Sequence, residues 1–545
     1  GLPRTLPHPP TRARGGAGVI PTAADHLGAK LAMAMGGFET DAFEVRTYSP
    51  PSGAILNVDL AFLPLTDLGN AERFARRHKG RLIYVSALGW LVWDGKRWAR
   101  RGADEFVTRA VHDVVRAIQD EAKALRESDH DIEITPADSV KGREAVMLSD
   151  KVAAWGRASE AANKLKPIPG QAAPYLAVNA DELDADPWRI NVANGTLHVR
   201  RGAGDDDPVK LKPHDPADLI TKLSHVVYDP NAICPDYDRF LAEVQPEADM
   251  RRFLHQWGGY SLTGDTGEQK LCFFYGKGKN GKSTLVDAWG AVAGDYGETV
   301  PIETFLNQGR GRNAGQATPD LAILPGIRYL RTSEPEKGAK LAEALIKLVT
   351  GGEPIQARHL NKDYFKFRPS FKLTMSGNYR PSIDGTDEGI WRRLVLVPWL
   401  VTVGKPDREL PAKLAREASG ILNRMLDGLR DYLDGGMVWP KIVLEATEAY
   451  RQDSDPLGRF LDLAIRRHPG SRAQSSMVHR AFNAWARVSG EREWSAKGFA
   501  TAMKERGFRS KLSNVMWWLD CELMQTEQDF VASAPPAPPD EEPPA

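Results

Sequence analysis

The chain has 545 residues, 42% hydrophobic and 26% charged, with 72 Lys plus Arg balancing 72 Asp plus Glu. That length exceeds a single core and predicts three or four domains, and the zero formal charge points to no partner, so any nucleic-acid surface must be local. Cys234, Cys272 and Cys521 lie far apart without CxxC or Cys/His spacing, and no apolar run approaches the roughly 20 residues of a membrane span; a zinc site, a secretory disulfide frame and a membrane protein are disfavoured, and a cytoplasmic location is expected.

In chain order, residues 1–22 are rich in Pro, Gly and Arg and read as a flexible arm, with Gly1 rather than Met leaving upstream sequence open. "RLIYVSALGWLVWDGKRWARRG" alternates aromatic and polar residues around Asp94-Gly95, a hairpin signal. Apolar spacing through Phe106, Val107, Ala110, Val111, Val114, Val115 and Ile118 predicts a helix from Asp104 to about Arg126. "KLKPIPGQAAP", Lys164 to Pro174, reads as an internal linker, and "DPWRINVANGTLHVR" as a second hairpin turning at Asn194-Gly195. Trp90, Trp93, Trp98 and Trp188 suit either base-stacking platforms or core, and the usual burial of Trp favours core.

"GKGKNGKS", Gly276 to Ser283, fits the phosphate-loop pattern GxxxxGK[ST] at every fixed position. Gly276, Gly278 and Gly281 are expected to supply backbone angles that side chains would block, so that N–H groups can curl around phosphate oxygens. Lys282 then reaches the β- and γ-phosphates of ATP and the Ser283 hydroxyl ligates Mg²⁺, with Asn280 and Thr284 in the same cradle. Context agrees, because Leu271 to Tyr275 reads as a buried strand and Ser283 to Trp289 can open a helix whose dipole faces the phosphates.

Further on, "IRYLRTSEPEKG" delivers Glu334 at a strand end, where a carboxylate can orient Mg²⁺ and polarise water; Glu336 lies deeper in the loop. "FKLTMSGN" ends a buried-strand pattern at Asn378, either a contact to the γ-phosphate or lytic water or a turn residue. Arg392 and Arg393 precede another strand; paired arginines usually form a solvated or salt-bridged edge, but in a ring ATPase one can reach a neighbour's γ-phosphate.

Together "YGKGKNGKST", "RTSEPEKGAKLAEALIKLVTGGEPIQARHL", "FKLTMSGN" and "GTDEGIWRRLVLVPW" resemble superfamily 3 helicases of the phage/plasmid primase-helicase family, which includes poxvirus-type members. The resemblance extends upstream through "TDLGNAERFARRH", "GWLVWDGKRW" and "DPWRINVANGTLHVR" and covers roughly Leu65 to Leu523. It implies an α/β P-loop NTPase, an AAA+-like core with a central sheet flanked by helices, plus an N-terminal α+β domain and a C-terminal winged-helix domain. It assigns Lys282 and Ser283 to the phosphate loop, Glu334 to the second acidic motif, Asn378 to the polar sensor, and Arg393, or second Arg392, to the trans-acting finger. Metal binding by Ser283 and Glu334 departs from relatives with two adjacent acids, since Ser333 stands before Glu334; Mg²⁺ tolerates waters in such a site. In "GGEPIQARHLNKDYFKF" the family's channel hairpin would place Arg358, His359 and Lys362 on the DNA backbone.

The implied boundaries are an arm 1–22, an N-terminal α+β region 23–165, a pre-helicase region 166–255, an ATPase core 256–405, a helical segment 406–454, a winged-helix-like DNA-binding domain 455–523 and a disordered acidic Pro-rich tail 524–545. Residues 466–511 hold eleven Lys/Arg against three Glu, an excess of eight, the footprint of a DNA-binding module or, more simply, of an exposed basic helix face. About 65 residues precede the first resembling motif, too few for a primase; Asp129/Asp131 and Asp181, Asp184, Asp186 are the short acid groups a two-metal site would need. The expectation is therefore a replicative DNA helicase without a primase. It would hydrolyse ATP with Mg²⁺ in a homo-oligomeric ring, as a hexamer, on single-stranded and forked DNA. A phage or mobile element in a bacterial cytoplasm would encode it, with no membrane partner and with a separate primase or polymerase as a further candidate partner. The alternatives are an origin-binding initiator whose ATPase only switches assembly, and a bifunctional primase-helicase.

Overall fold

The computed structural model describes residues 53–134, 145–202, 204, 206–307, 318–332, 334–358, 364–383 and 388–532. The chain divides into two units, residues 1–186 with 213–222, and residues 187–212 with 223–545. Both crossings between the units, near 186 and at 212–222, fall within the expected pre-helicase region 166–255. The expected linker at 164–174 is instead packed structure: helices Ala162–Leu165 and Ile168–Ala172 bury Ile168 and Ala172 completely. Pro169 sits in the first turn of the second of these, where a missing N–H costs nothing, so its Pro and Gly did not mark a break.

In the first unit, α1 (Asp67–His78) begins where Thr66 Oγ1 accepts a hydrogen bond from the Gly69 N–H. An antiparallel sheet, β1 (Leu82–Val85), β2 (Gly89–Trp93) and β3 (Trp98–Ala99), includes the expected hairpin, and α2 (Ala103–Arg126) buries the expected apolar stripe. Trp90 and Trp98 are core residues. The buried Glu121 carboxylate of α2 is held by Arg73 and Arg77 of α1, each at 2.8 Å. Asp131 accepts from the Ser149 N–H at the start of α3 (Leu148–Ser159), and Asp184 accepts from both the N–H and the hydroxyl of Thr221.

The second unit opens with an antiparallel sheet of β4 (Arg189–Val192), β5 (Gly195–Val199) and β6 (Val209–Lys212), followed by α4 (Pro235–Val244) and α5 (Ala248–Leu262). Its centre is a five-stranded parallel sheet. In sequence these strands are β7 (Leu271–Tyr275), β8 (Gly297–Val300), β9 (Tyr329–Thr332), β12 (Lys372–Gly377) and β13 (Leu394–Pro398). In space the order is β8-β9-β12-β7-β13, with α6 (Lys282–Ala293) following β7 and the hairpin β10 (Ile355–Arg358) and β11 (Tyr364–Phe367) lying outside the sheet. Helices cover both faces and the strands are buried on both sides, the arrangement of an α/β NTPase core. The expected helical segment is α7 (Leu410–Arg416), α8 (Ala418–Gly435) and α9 (Lys441–Asp453).

The last elements are α10 (Pro456–Ala464), β14 (Ile465–Gln474), α11 (Ser475–Val488), α12 (Ala496–Glu505), β15 (Ser510–Ser513) and β16 (Val515–Leu523) around their own core of Phe460, Phe482 and Trp518. The tail expected to be disordered from 524 starts instead with α13 (Glu527–Ala532), whose Phe530 is buried in that core.

Candidate functional site

Four neighbouring strands, β9, β12, β7 and β13, run parallel, so their C-terminal ends open on one edge. Open parallel sheets bind ligands at that edge. A cleft of about 520 Å³ lies there, lined by the loop after β7, the first turns of α6, and the ends of β9 and β12.

The loop's geometry explains its composition residue by residue. Gly281 takes φ +82°, and a Cβ on it would also strike Phe240 and Val244 of α4 at under 3 Å. Gly276 is required by close approach, because a Cβ there would lie 2.1 Å from the Trp399 carbonyl oxygen. Gly278 meets neither condition, so the expectation that its backbone excludes a side chain is corrected; Lys279 supplies the second left-handed position, at φ +61°. Gly281, at the N-cap of α6, has no side chain to cap the helix; the Lys282 N–H donates to Asn280 Oδ1 at 3.5 Å, and the following Ser283 and Thr284 line the cleft, where an anion can accept from their N–H groups.

Lys282 is 6% exposed, and its Nζ donates to the Gly276 carbonyl at 2.6 Å and to Asn280 Oδ1 and Asn378 Oδ1, each at 3.1 Å. Burial pushes its ammonium below the usual lysine range, and the Glu334 carboxylate opposes that shift. Asn280 in turn donates from Nδ2 to the carbonyl of Trp399, the residue after β13, at 3.3 Å, so the end of that strand fixes the amide that fixes the lysine. The Asn378 N–H donates to Glu334 Oε1 at 2.5 Å. Glu334 follows β9, which β12 separates from β7. Two interstrand steps, about 10 Å, leave space for a phosphoryl group and a water between Glu334 and the loop. Ser283 and Thr284 line the same cleft, as does Glu334; Glu336 does not.

Other expectations separate. Arg393 is 7% exposed and donates to its own chain's Gly389 carbonyl at 2.6 Å, whereas Arg392 is exposed. Of the two candidate fingers, the first choice, Arg393, is thus bonded within its own chain, and the second, Arg392, faces outward. Arg358 ends β10, half-buried with its guanidinium 4.8 Å from the Tyr364 ring; His359, Lys362 and Ser333 lie outside the described residues. Asp287 and Arg331 also line the cleft, paired at 2.6 Å, and were not singled out from the sequence. The available signal was that Asp287 stands four residues after Ser283 on a helix, hence on its face.

No described helix is long and apolar enough to cross a membrane. The family described as D5 N terminal like matches residues 71–246. "Putative helicase L207/L206" of Acanthamoeba polyphaga mimivirus is 28% identical over 52% of this chain and 31% of its own length. "Putative helicase 022R" of Frog virus 3 is 28% identical over 54% of this chain and 30% of its own. "Putative primase C962R" of African swine fever virus is 26% identical over 39% and 22%. The aligned part of this chain thus spans under a third of those relatives. Among solved structures, the apo C-terminal region (305-718) of NrS-1 covers 56% of this chain and 79% of its own at 10% identity, with a TM-score of 0.37.

Proposed function

We propose that this chain, a relative of the viral primase-helicase family, is an ATP-dependent DNA helicase of replication. The observation that carries the reading is the meeting of Lys282, Asn378 and Glu334 in one cleft from three separate parts of the parallel sheet. An uncapped helix end, a buried lysine and a carboxylate set back by two strands suit binding of a nucleoside triphosphate and attack of water on its last phosphate.

In this reading Lys282 and the N-terminal N–H groups of α6 hold the β- and γ-phosphates of ATP. Asn378 orients the γ-phosphate or water, and Glu334 takes up the water's proton. The Ser283 hydroxyl, with Glu334 and waters, fits the oxygen donors Mg²⁺ requires, and the ion would supply charge neutralisation of the phosphates. The outward Arg392 suits contact with the next subunit of a ring, so assembly and hydrolysis would depend on each other. The β10–β11 hairpin, with Arg358 at its end and His359 and Lys362 beyond, is the proposed grip on single-stranded DNA. The order helix, strand, helix, helix, strand, strand over 456–523 supports a winged-helix module for DNA.

Lys282→Ala tests the site: purified variant should neither bind nor hydrolyse ATP, and wild-type turnover in that variant would end the assignment. Strand displacement on forked DNA separates a helicase from an initiator whose ATPase only switches assembly. A second reading, a bifunctional primase-helicase, draws on the relative named for a primase; nucleotide incorporation on a single-stranded template tests it.

A further inference from the structure

The basic excess of the C-terminal module is not spread evenly once its ion pairs are drawn. On α11, Arg480 and Arg487 face Glu527 of α13 at 3.6 and 4.0 Å. Arg506 pairs with Asp455, and Arg509 with Asp520 at 2.6 Å. These acids lie outside the 466–511 window, so much of that window's charge is neutralised within the module.

The β15–β16 hairpin differs. No Asp or Glu occurs between Arg506 and Leu519. The strands turn at Asn514, which takes φ +55°, and pair Lys511 with Trp517 and Leu512 with Met516. Directly paired residues share a face of the ribbon, so one face carries Lys511 and Trp517 and the other Leu512 and Met516. Arg472, from β14, lies on the first face with its guanidinium 4.4 Å from the Trp517 ring. Neither Arg472 nor Lys511 has a carboxylate partner among the described residues. At the tip, Leu512 is 71% exposed, Met516 40% and Val515 39%. The hairpin is a two-sided blade, with an aromatic-backed cationic face and an apolar edge held in water.

We propose that this hairpin is a nucleic-acid wedge. Leu512 and Met516 lodge against the unstacked base at a junction of duplex and single strand, and Arg472 and Lys511 hold the flanking phosphates. Charge complementarity selects the occupant: bases offer flat apolar faces bounded by anionic phosphates, which an apolar tip flanked by cations matches on both counts. Trp517 fixes the Arg472 guanidinium before binding, so less side-chain freedom is lost on contact. The proposal rests on the reading of the module as DNA-binding but places the contact on the sheet. The competing surface is the outer face of α12, where Lys497 and Lys504 are exposed.

The test uses the full chain and a forked DNA carrying 2-aminopurine at the first unpaired position, with fluorescein-labelled duplex and single strands for affinity. Leu512→Ser combined with Met516→Ser should remove the 2-aminopurine increase on binding and weaken fork affinity about tenfold, the scale of one base contact, without lowering the melting temperature. Arg472→Ala combined with Lys511→Ala should reduce the salt dependence of fork binding by about two phosphate contacts. If both pairs match wild type while Lys497→Ala with Lys504→Ala weakens duplex binding, the wedge is wrong and the module reading survives. If all three pairs leave DNA binding unchanged, both are wrong. Leu512-dependent sedimentation with phosphatidylcholine/phosphatidylserine vesicles, without a 2-aminopurine response, would assign the tip to a membrane surface and overturn the wedge.

Discussion

Lys282 Nζ lies 3.1 Å from the side-chain oxygen of Asn378, and the N–H of that same asparagine holds Glu334. One residue therefore touches both the lysine proposed to bind phosphate and the carboxylate proposed to activate water. The three N–H donors of Lys282 are taken by Gly276, Asn280 and Asn378, so reaching a phosphate costs one of these bonds; giving up Asn378 Oδ1 would free that amide for the proposed γ-phosphate or water. Asn378→Ala keeps the backbone donor to Glu334 and removes only the amide. ATP turnover should fall about a hundredfold, the usual effect of deleting one positioned donor. Nucleotide affinity, measured by equilibrium binding, should stay within a few-fold; an equal loss of affinity would make Asn378 a binding residue only.

Arg392 and Arg393 should part in their effects. Arg393 is buried and bonded to the Gly389 carbonyl, so Arg393→Ala should lower stability by about 1–3 kcal/mol through lost bonding and packing. Arg392→Ala should leave urea unfolding unchanged yet reduce hydrolysis by the thousandfold or more typical of a trans-acting arginine, at about 10³. Mixing Arg392→Ala with Lys282→Ala subunits should restore part of the activity. Failure of the mixture would count against any contact across subunits.

The strand, loop and helix from Leu271 to Ala293 were readable because their signals lie in one continuous stretch, the strand and helix following from local periodicity. The choice between the two arginines was not. Strand β13 is buried on both faces, so alternation gives no phase by which to tell the inward neighbour from the outward one. The packed segment around Ile168 was missed because Pro and Gly report local backbone constraint or freedom, whereas its burial is decided by distant residues of α1 and α2. Phe530 was missed for a related reason, since composition judges a Pro-rich tail as a whole and one aromatic near its start can still reach a core. Asp287 and Arg331 meet only in the folded sheet.

The crossing of α5 and α8 depends on glycines at backbone contact. A Cβ on Gly259 would lie 2.0 Å from the Met425 carbonyl oxygen, and one on Gly428 would lie 2.1 Å from that of His255. Neither neighbour is a side chain that can turn away. Gly259→Ala and Gly428→Ala should each destabilise the second unit by about 3 kcal/mol, the upper end of overpacking costs. Gly435, also in α8, has open space around it; Gly435→Ala should leave the urea midpoint unchanged or slightly raised. Equal effects at all three positions would refute the close-contact argument.

Two buried histidines predict how stability depends on pH. His78 in the first unit is pushed down to about 4 by burial, helped by Arg81 and Arg77 and opposed by Asp113. His255 in the second is pushed down to about 4 by burial, helped by Arg424 and Arg251 and opposed by Asp238. Both are neutral bases in the folded chain, while their unfolded forms protonate near 6.5. As pH falls from 6.5 to 4 the unfolded state gains protons that the folded state refuses, so each unit should lose stability across that window. At 1.36 kcal/mol per unit of separation, the loss approaches roughly 3 kcal/mol per histidine at its lower end. Above 6.5 neither histidine contributes a slope. Urea midpoints between pH 4 and 8, followed separately for the two units, should show the decline. His78→Gln should flatten it only in the first unit and His255→Gln only in the second, whatever each does to the baseline. A slope that survives both substitutions would place the acid sensitivity elsewhere.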